Sequence, residues 1–403
     1  MNNTNHSRSR VQPLAISHFT LANCLGNGSA ATLAALRQQR SGLSPCDFGG
    51  ADVDTWVGSA GALDTPVRAD LAAFDCRNNR LAELALMQDG FAQAVAAARD
   101  KYGPTRIGVF LGTSTSGILA TEQAYRNRLA DGALPPTYHY SKTQNTYALA
   151  DFTQRVLGLS GPAMVVSSAC SSTAKVFGHA QRMLAAGFID AAVVGGVDTL
   201  CLTTLYGFAS LGLTSAQPCR PFGAGRDGIS IGEGAGFALL EKVAAAPRAP
   251  RLLGVGESSD AYHMSSPHPE GEGAHTAMRR ALDAARLTPA DIAYINLHGT
   301  ATPANDTSED RAVVRLFGSH TPASSTKGAH GHLLGAAGIT EAIISLLAIA
   351  HNFMPAGLNT SEVDGELNTD YLLQNREGRV GAVLSNSFGF GGSNCALVLG
   401  GAA

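Results

Sequence analysis

Cys170 sits where the β-branched run AMVVSSA passes into STAKVFGHAQRML, a helical pattern with apolar positions at Val176, Ala180, Met183 and Leu184. The spacing predicts a strand-to-helix turn with the thiol at the helix N-terminus. There it would meet the positive end of the helix dipole and unpaired backbone N–H groups, which favour thiolate and can hold an oxyanion. Such a sulfur suits a nucleophile that forms a thioester. An arbitrary cysteine is more often a small buried hydrophobe, and that reading fits Cys201 and Cys395. Around Cys170 the small Ser, Thr and Ala side chains leave room for a substrate.

Two further segments supply partners. INLHGTATPANDTSE places His298 just past a strand, followed by Thr300 and Thr302 and then a helix from Asp306 with a capping box of Asp306 and Glu309. STKGAHGHLLGAAGITE places Lys327 and His332 in a glycine-rich turn before a long helix. His330 and His332 could be read as metal ligands, but neither motif offers a carboxylate or third histidine at ligand spacing, so no metal is expected.

The elements that must position these residues alternate. RIGVFLGT, PAMVVSSA and DAAVVGGVD read as buried strands separated by helical segments, the pattern of an α/β sheet covered by helices. AAAPRAP, residues 244–250, is the clearest composition break, and it divides the chain near residue 248. Beyond it RLLGVG, IAYINL and GAVLSNS read as strands, and HTAMRRALDAARL and GITEAIISLLAIAHN as helices. Two α/β halves are expected, 1–248 carrying the cysteine and 249–403 carrying both candidate catalytic histidines.

With 403 residues the chain is long enough for two to three compact units. Its net charge of −3, with only 15% charged residues, leaves no footprint for nucleic acid or an anionic membrane. The opening MNNTNHSRSRVQPL lacks an apolar leader, and AIISLLAIA is too short to span a bilayer, so a cytoplasmic protein with no membrane insertion is expected. Seven scattered cysteines, never spaced CxxC, argue against a disulfide framework or a zinc ribbon.

Taken together, VVSSACSST, CRPFGAGRDGISIGEGAG, DAYHMSSP, NLHGTATP, STKGAHGHLLGAAGITE and SNSFGFGGSNCALVLG resemble the elongating β-ketoacyl-acyl carrier protein synthases. These are condensing enzymes of the thiolase-like superfamily, and the motifs follow the family order from about Ile107 to Leu399. The resemblance implies a thiolase-like fold, two similar α/β halves in a layered αβαβα arrangement. It implies Cys170 as acyl acceptor, His298 with His332 binding the malonyl thioester carbonyl, and Lys327 organising His332. Thr300 and Thr302 would bond the phosphopantetheine arm. Phe388 and Phe390 would border the acyl pocket, with the Phe390 N–H joining that of Cys170 in an oxyanion hole. Asn296, Glu341, Ser385 and Asn386 match an optional, structural monovalent-cation site. No other cofactor is implied, since phosphopantetheine arrives on the carrier protein.

The resemblance further implies a dimer, with itself or with a homologous chain length factor lacking the cysteine. The segment after GVFL would contribute to the acyl pocket of the neighbouring subunit, and Thr115, in GTSTSGI, would close that pocket's floor. Because a carrier protein is acidic, a local basic patch is expected to receive it, and Arg77 and Arg80 lie three apart on one side of a predicted helix. Departures such as Ala301 and Asn305, and an atypical N-terminal third, fit a specialised aryl polyene or polyketide-like pathway. A non-catalytic partner subunit is the competing reading from another class, opposed by the intact Cys, His, His and Lys set. A Cys/His acyl hydrolase is a third, which the same elbow could support.

Overall fold

The computed structural model describes residues 12–61 and 63–402. Residues 1–11, on which the expectation of no apolar leader falls, lie outside the described residues. Ten strands build the main sheet: β1 (Leu14–Asn23), β2 (Ile107–Gly112), β3 (Ala163–Val166), β4 (Ala191–Asp198), β5 (Gly234–Lys242), β6 (Arg251–Ser259), β7 (Tyr294–Asn296), β8 (Ala323–Ser324), β9 (Ala382–Gly389) and β10 (Ser393–Gly400). The two-residue strand Gly26–Asn27 pairs beside β1.

The first five strands run in the order β3-β2-β4-β5-β1, and the second five in the matching order β8-β7-β9-β10-β6. The pairings match as well: in each half two parallel ladders are followed by two antiparallel ones. β1 and β6 meet only at their starts, Leu14 opposite Leu252 and Ala15 opposite Arg251, which joins the two sets edge to edge. The chain crosses from one set to the other through residues 243–250.

Seven helices matter for the site: α1 (Arg77–Leu86), α2 (Ala148–Leu157), α3 (Ser172–Ala185), α4 (Leu202–Ser210), α5 (Glu272–Ala285), α6 (Pro303–Phe317) and α7 (Ala337–His351). α1 and α2 cover the outer face of the first sheet and α5 the outer face of the second, with α6 packed on α5. α3 and α7 lie between the sheets, where Phe177, Leu184, Ile339 and Ile343 meet Val194 from one side and Leu397 from the other. Every residue of α7 from Ala337 to Ala348 is buried. A helix covered on all sides has no reason to be amphipathic, and each fully buried Leu or Ile contributes about 1.5–3 kcal/mol. The apolar run AIISLLAIA is thus explained by this central layer. In the same way β4 is buried at all eight positions, as expected of a strand covered on both faces.

One local expectation fails. α6 starts at Pro303 behind Thr302, three residues before Asp306, because proline at the first helical position gives up no hydrogen bond. Asp306 and Glu309 form no capping box. Both face inward and serve the loop before the helix, as described next.

Candidate active site

Cys170 lies between β3 and α3, on the expected turn. Ala169 just before it holds φ at 50°, a left-handed conformation that a residue with a Cβ adopts only under constraint from its surroundings. Ser171 and Ser172 anchor the turn through bonds from their hydroxyls to Ser168 O and Ala169 O, at 2.9 and 2.6 Å. Gly389 passes against it, where a Cβ would come within 2.8 Å of Ser168 O and 3.3 Å of Cys170 N. That close passage brings the Phe390 backbone N–H to the side of the Cys170 sulfur, where it eases ionisation of the thiol.

His298 follows β7, and His332 follows the short helical turn Lys327–His330. Their rings stand edge to face with centroids 5.4 Å apart, and one donor atom from each of Cys170, His298 and His332 lies within 4.8 Å of the others. His332 Nε2 is 2.9 Å from Cys170 Sγ. A cysteine with two histidines is also a zinc-like donor set. Lys327 opposes that use, because its buried ammonium lies 3.4 Å from His298 Nδ1.

The protonation pattern follows from these contacts. Burial pushes the Cys170 thiol up to about 12, with the Lys327 charge and the Phe390 N–H pulling the other way. The resting sulfur is therefore a thiol, and desolvation overrides the helix-terminus effect expected from sequence. Burial, reinforced by the Lys327 charge, holds both His298 and His332 well below the usual imidazole range, so both rings are neutral. An ammonium can only donate, so His298 Nδ1 accepts from Lys327 and its Nε2 carries the proton. His332 Nδ1 is buried without a partner, and its proton belongs on Nε2, which points at the sulfur. Two neutral N–H donors thus converge beside the thiol. Imidazole ionisation should give malonyl decarboxylation no acid limb between about pH 6 and about pH 8, so that any limb there is removed by Glu309→Gln or Glu341→Gln, whose carboxyls are raised to about 7. A pH–rate profile of carbon dioxide release checks this.

Lys327 serves a different ring from the one expected. Its ammonium meets His298 Nδ1, His298 O at 2.5 Å, and the Glu341 carboxylate, and makes no hydrogen bond to His332. Glu309, which the sequence reading gave only a capping role, accepts the N–H groups of His298 and Gly299 at 2.8 and 2.7 Å. Asp306 likewise accepts from Ala301 N and Phe222 N. Carboxylates three apart on a helix signal a shared face, but only the fold turns that face toward the His298 loop.

Of the expected cation residues, Asn296, Ser385 and Asn386 adjoin, while Glu341 is joined to Lys327. Asn296 stands beside Ser385 across the β7–β9 ladder, and Asn386 donates to Glu309. Both side-chain atoms of Asn296, Asn386 Oδ1 and Glu341 Oε2 are buried without partners. Burial raises Glu309 and Glu341 to about 7 each, with Lys327 the ammonium paired to Glu341. Unpartnered oxygens and an excess of carboxylate fit a small monovalent cation held by Asn296, Glu341, Ser385 and Asn386. Its chemistry would be charge balance for the carboxylates behind His298.

A cavity of about 270 Å³ adjoins the sulfur, lined by Cys170, His298, His332, Thr300, Thr302, Phe388 and Phe390 among others. The Thr300 and Thr302 hydroxyls are 2.9 Å apart. Phe388 stacks edge-on against His298 at 5.8 Å, and Phe390 packs at 5.6 Å on Phe208 of α4. With Leu213 and Ile229, Phe208 forms apolar wall that no local sequence signal marked.

The family models for the Beta-ketoacyl synthase N-terminal domain and C-terminal domain match residues 17–246 and 250–361. This chain belongs to the beta-ketoacyl synthase family. The ketosynthase is 33% identical over 337 residues to the 3-oxoacyl-(acyl-carrier-protein) synthase 2 of Vibrio harveyi, covering 77% of this chain and 81% of that protein. It is 44% identical over 260 residues to the corresponding synthase of Rhizobium meliloti (strain 1021), a match spanning 60% of this chain and 61% of the relative. Among solved structures it resembles a chain of the complex of a ketosynthase with its chain length factor from Xenorhabdus doucetiae, with 38% identity and a TM-score of 0.89, covering 98% of this chain and 100% of that one. The ishigamide ketosynthase/chain length factor is similar at 28% identity and a TM-score of 0.88, covering 97% of this chain and 100% of that one. The thiolase-like fold and the decarboxylative condensation read from the sequence motifs are those of this family.

Two expectations about the ketosynthase's outer site residues are corrected. Arg77 and Arg80 both lie on α1, but neither guanidinium is free. Arg77 is paired with the buried Glu233 at 2.5 Å, and Arg80 with Asp75 at 2.6 Å. Glu233 also accepts from Ala60 N and Leu200 N, so Arg77 belongs to a knot that ties α1 to the end of β4. Spacing on a helix shows which side chains share a face, and says nothing of the acid opposite. Arg77→Ala should cost about 3–5 kcal/mol by stranding the Glu233 charge, whereas Arg80→Ala, in a half-exposed pair, should cost about 1 kcal/mol or less. Urea unfolding midpoints of the two variants check the contrast. Thr115 is the second correction. It is 1% exposed and its N–H and hydroxyl both bond Asp198, so its side chain faces neither this chain's cavity nor a surface that a partner subunit would meet. Thr115→Phe would break that bonding before it could shorten an acyl pocket.

Proposed function

We propose that the ketosynthase loads an acyl group from an acyl carrier protein onto Cys170 and condenses it with malonyl-acyl carrier protein during chain elongation. The observation that carries this assignment of roles is the convergence of one buried thiol and two neutral imidazole N–H donors on a single cavity. In loading, Cys170 attacks the acyl thioester and its S–H proton leaves with the departing carrier thiol; the tetrahedral oxyanion is held by the Cys170 and Phe390 N–H groups. The malonyl thioester carbonyl then accepts from His298 and His332. Loss of carbon dioxide leaves an enolate, whose carbon attacks the Cys170 thioester and expels the sulfur. Neutral donors suit the enolate, because decarboxylation supplies the electron pair and no base need remove a carbon-bound proton.

Thr300 and Thr302 lie on the cavity wall where a phosphopantetheine arm would reach the sulfur, and the arm arrives on the carrier, with no other cofactor in the reading. Two of the structures it resembles pair a ketosynthase with a chain length factor, which supports a dimer with a homologous chain and a specialised polyene or polyketide-like pathway. Seven free thiols suit a reducing cytoplasm. The intact Cys170, His298, His332 set favours the catalytic chain over its non-catalytic partner. Intact-mass analysis after mixing with acyl and malonyl carrier proteins tests the reading. A carrier product two carbons longer supports condensation, free acid would make the chain a hydrolase, and no adduct at all would make it a scaffold.

A further inference from the structure

Asp198 ends β4 with no exposed surface and no cation beside its carboxylate among the described residues. Its charge is met instead by donors from two separate segments. From the loop after β2 come Thr113 Oγ1 at 2.7 Å, Ser114 N at 2.8 Å, Thr115 N at 2.8 Å and Thr115 Oγ1 at 2.7 Å, all to Oδ1. From the loop after His332 comes Gly335 N, at 2.6 Å to Oδ2. Gly335 must be glycine for this approach, since a Cβ there would lie 2.7 Å from Asp198 Oδ2 and 2.6 Å from Ser114 Oγ.

The same two segments reach Cys170. Thr173, in the first turn of α3 and three residues past the nucleophile, donates to Gly335 O at 2.6 Å and accepts from Ile339 N at 3.0 Å. Ser114 Oγ contacts Ala169 O, the carbonyl just before the nucleophile, at 3.5 Å. Gly335 is three residues past His332. The loops carrying the nucleophile and its partner are therefore pinned to one carboxylate, while their reactive atoms stand 2.9 Å apart on the other side.

We propose that Asp198 is a positioning residue that holds Cys170 Sγ and His332 Nε2 in register by clamping the Thr113–Thr115 and Gly335 loops. Asparagine keeps the shape of Asp198 and one acceptor oxygen, but turns an amide N–H₂ toward backbone N–H donors, which should loosen the clamp without unfolding the chain. Misplacement of reacting groups by about 1 Å costs on the order of a hundredfold. Asp198→Asn should accordingly lower kcat for condensation by about 10- to 100-fold, with KM for malonyl carrier protein changed less than about threefold. Thr115→Val should lower kcat in the same sense, Thr115→Ser should restore it, and the double variant Asp198→Asn/Thr115→Val should be no worse than Asp198→Asn alone, as for groups acting as one unit.

A second readout does not need condensation at all. The charged and titratable groups facing Cys170 are Lys327, Glu341, Asp198, His298 and His332. Removing the Asp198 charge should shift the pH midpoint of Cys170 alkylation by iodoacetamide downward, so that the variant alkylates faster at neutral pH while condensing more slowly. The proposal rests on the condensation reading above, but the two fail separately: a wild-type chain that alkylates yet never condenses overturns that reading alone. An unmoved alkylation midpoint, a kcat per labelled site equal to wild type, or additive losses in the double variant would each overturn the role given to Asp198.

Discussion

Alanine at Cys170 should abolish acyl loading. Intact-mass spectra of the variant after treatment with an acyl donor should show no thioester, and peptide mapping of the wild type should find the acyl group on Cys170 alone. Among the residues lining the cavity Cys170 is the only thiol, and Cys201, Cys219 and Cys395 are each no more than 1% exposed in packed surroundings. Cys395 illustrates the contrast: burial pushes its thiol far up and it lies in the apolar core between the sheets, with no imidazole against it. Cys170 has His332 at 2.9 Å, the Phe390 N–H, and the Lys327 charge acting to ease its ionisation. A thioester on the Cys170→Ala variant, or on a second cysteine of the wild type, would falsify the nucleophile assignment.

Removal of either imidazole should lower malonyl decarboxylation by about a hundredfold to a thousandfold, the usual loss on deleting one donor to a developing oxyanion. The two variants should differ in the loading step. His298→Ala is expected to leave acyl transfer to Cys170 near wild type, because His298 is turned by Lys327 toward the carbonyl site and is not the ring bonded to the sulfur. His332→Ala should slow loading as well, because its Nε2 is the group against Sγ. Carbon dioxide release from malonyl carrier protein, measured apart from rapid-quench loading, separates the steps. Near-normal decarboxylation in both variants would remove the two histidines from enolate stabilisation. Equal loading defects in both would contradict the division of labour between them.

The alternation of apolar strands and helices, the break near residue 248 and the turn at Cys170 were all legible in the chain. Each depends on interactions within about twenty residues: periodicity of burial, loss of pattern at AAAPRAP, and the change from β-branched to helical residues at SSAC. The motif order from Ile107 to Leu399 then pointed to the family and to Cys170, His298, Lys327 and His332, which the fold gathers into one buried cluster. The likeness of the two halves came only through the family resemblance and not from pattern or spacing, since the pairing of β1 with β5 joins residues more than two hundred apart.

The misreadings share one cause. Arg77 and Arg80 have the right spacing for an exposed basic stripe, yet Glu233, more than 150 residues away, closes on Arg77 and removes its charge from the surface. Thr115 has the right place in its motif, yet Asp198 claims its hydroxyl. Glu309 has the right spacing for a cap, yet its helix turns it toward His298. Lys327 was joined to the ring nearer in sequence and lies against the one 29 residues away. Which residue types stand at the turns and how each element is patterned can be read along the chain, because those are properties of neighbouring residues. Which buried charge finds which partner, and that the active thiol rests protonated, emerges with folding alone, because desolvation and ion pairing depend on groups brought together from distant parts of the chain.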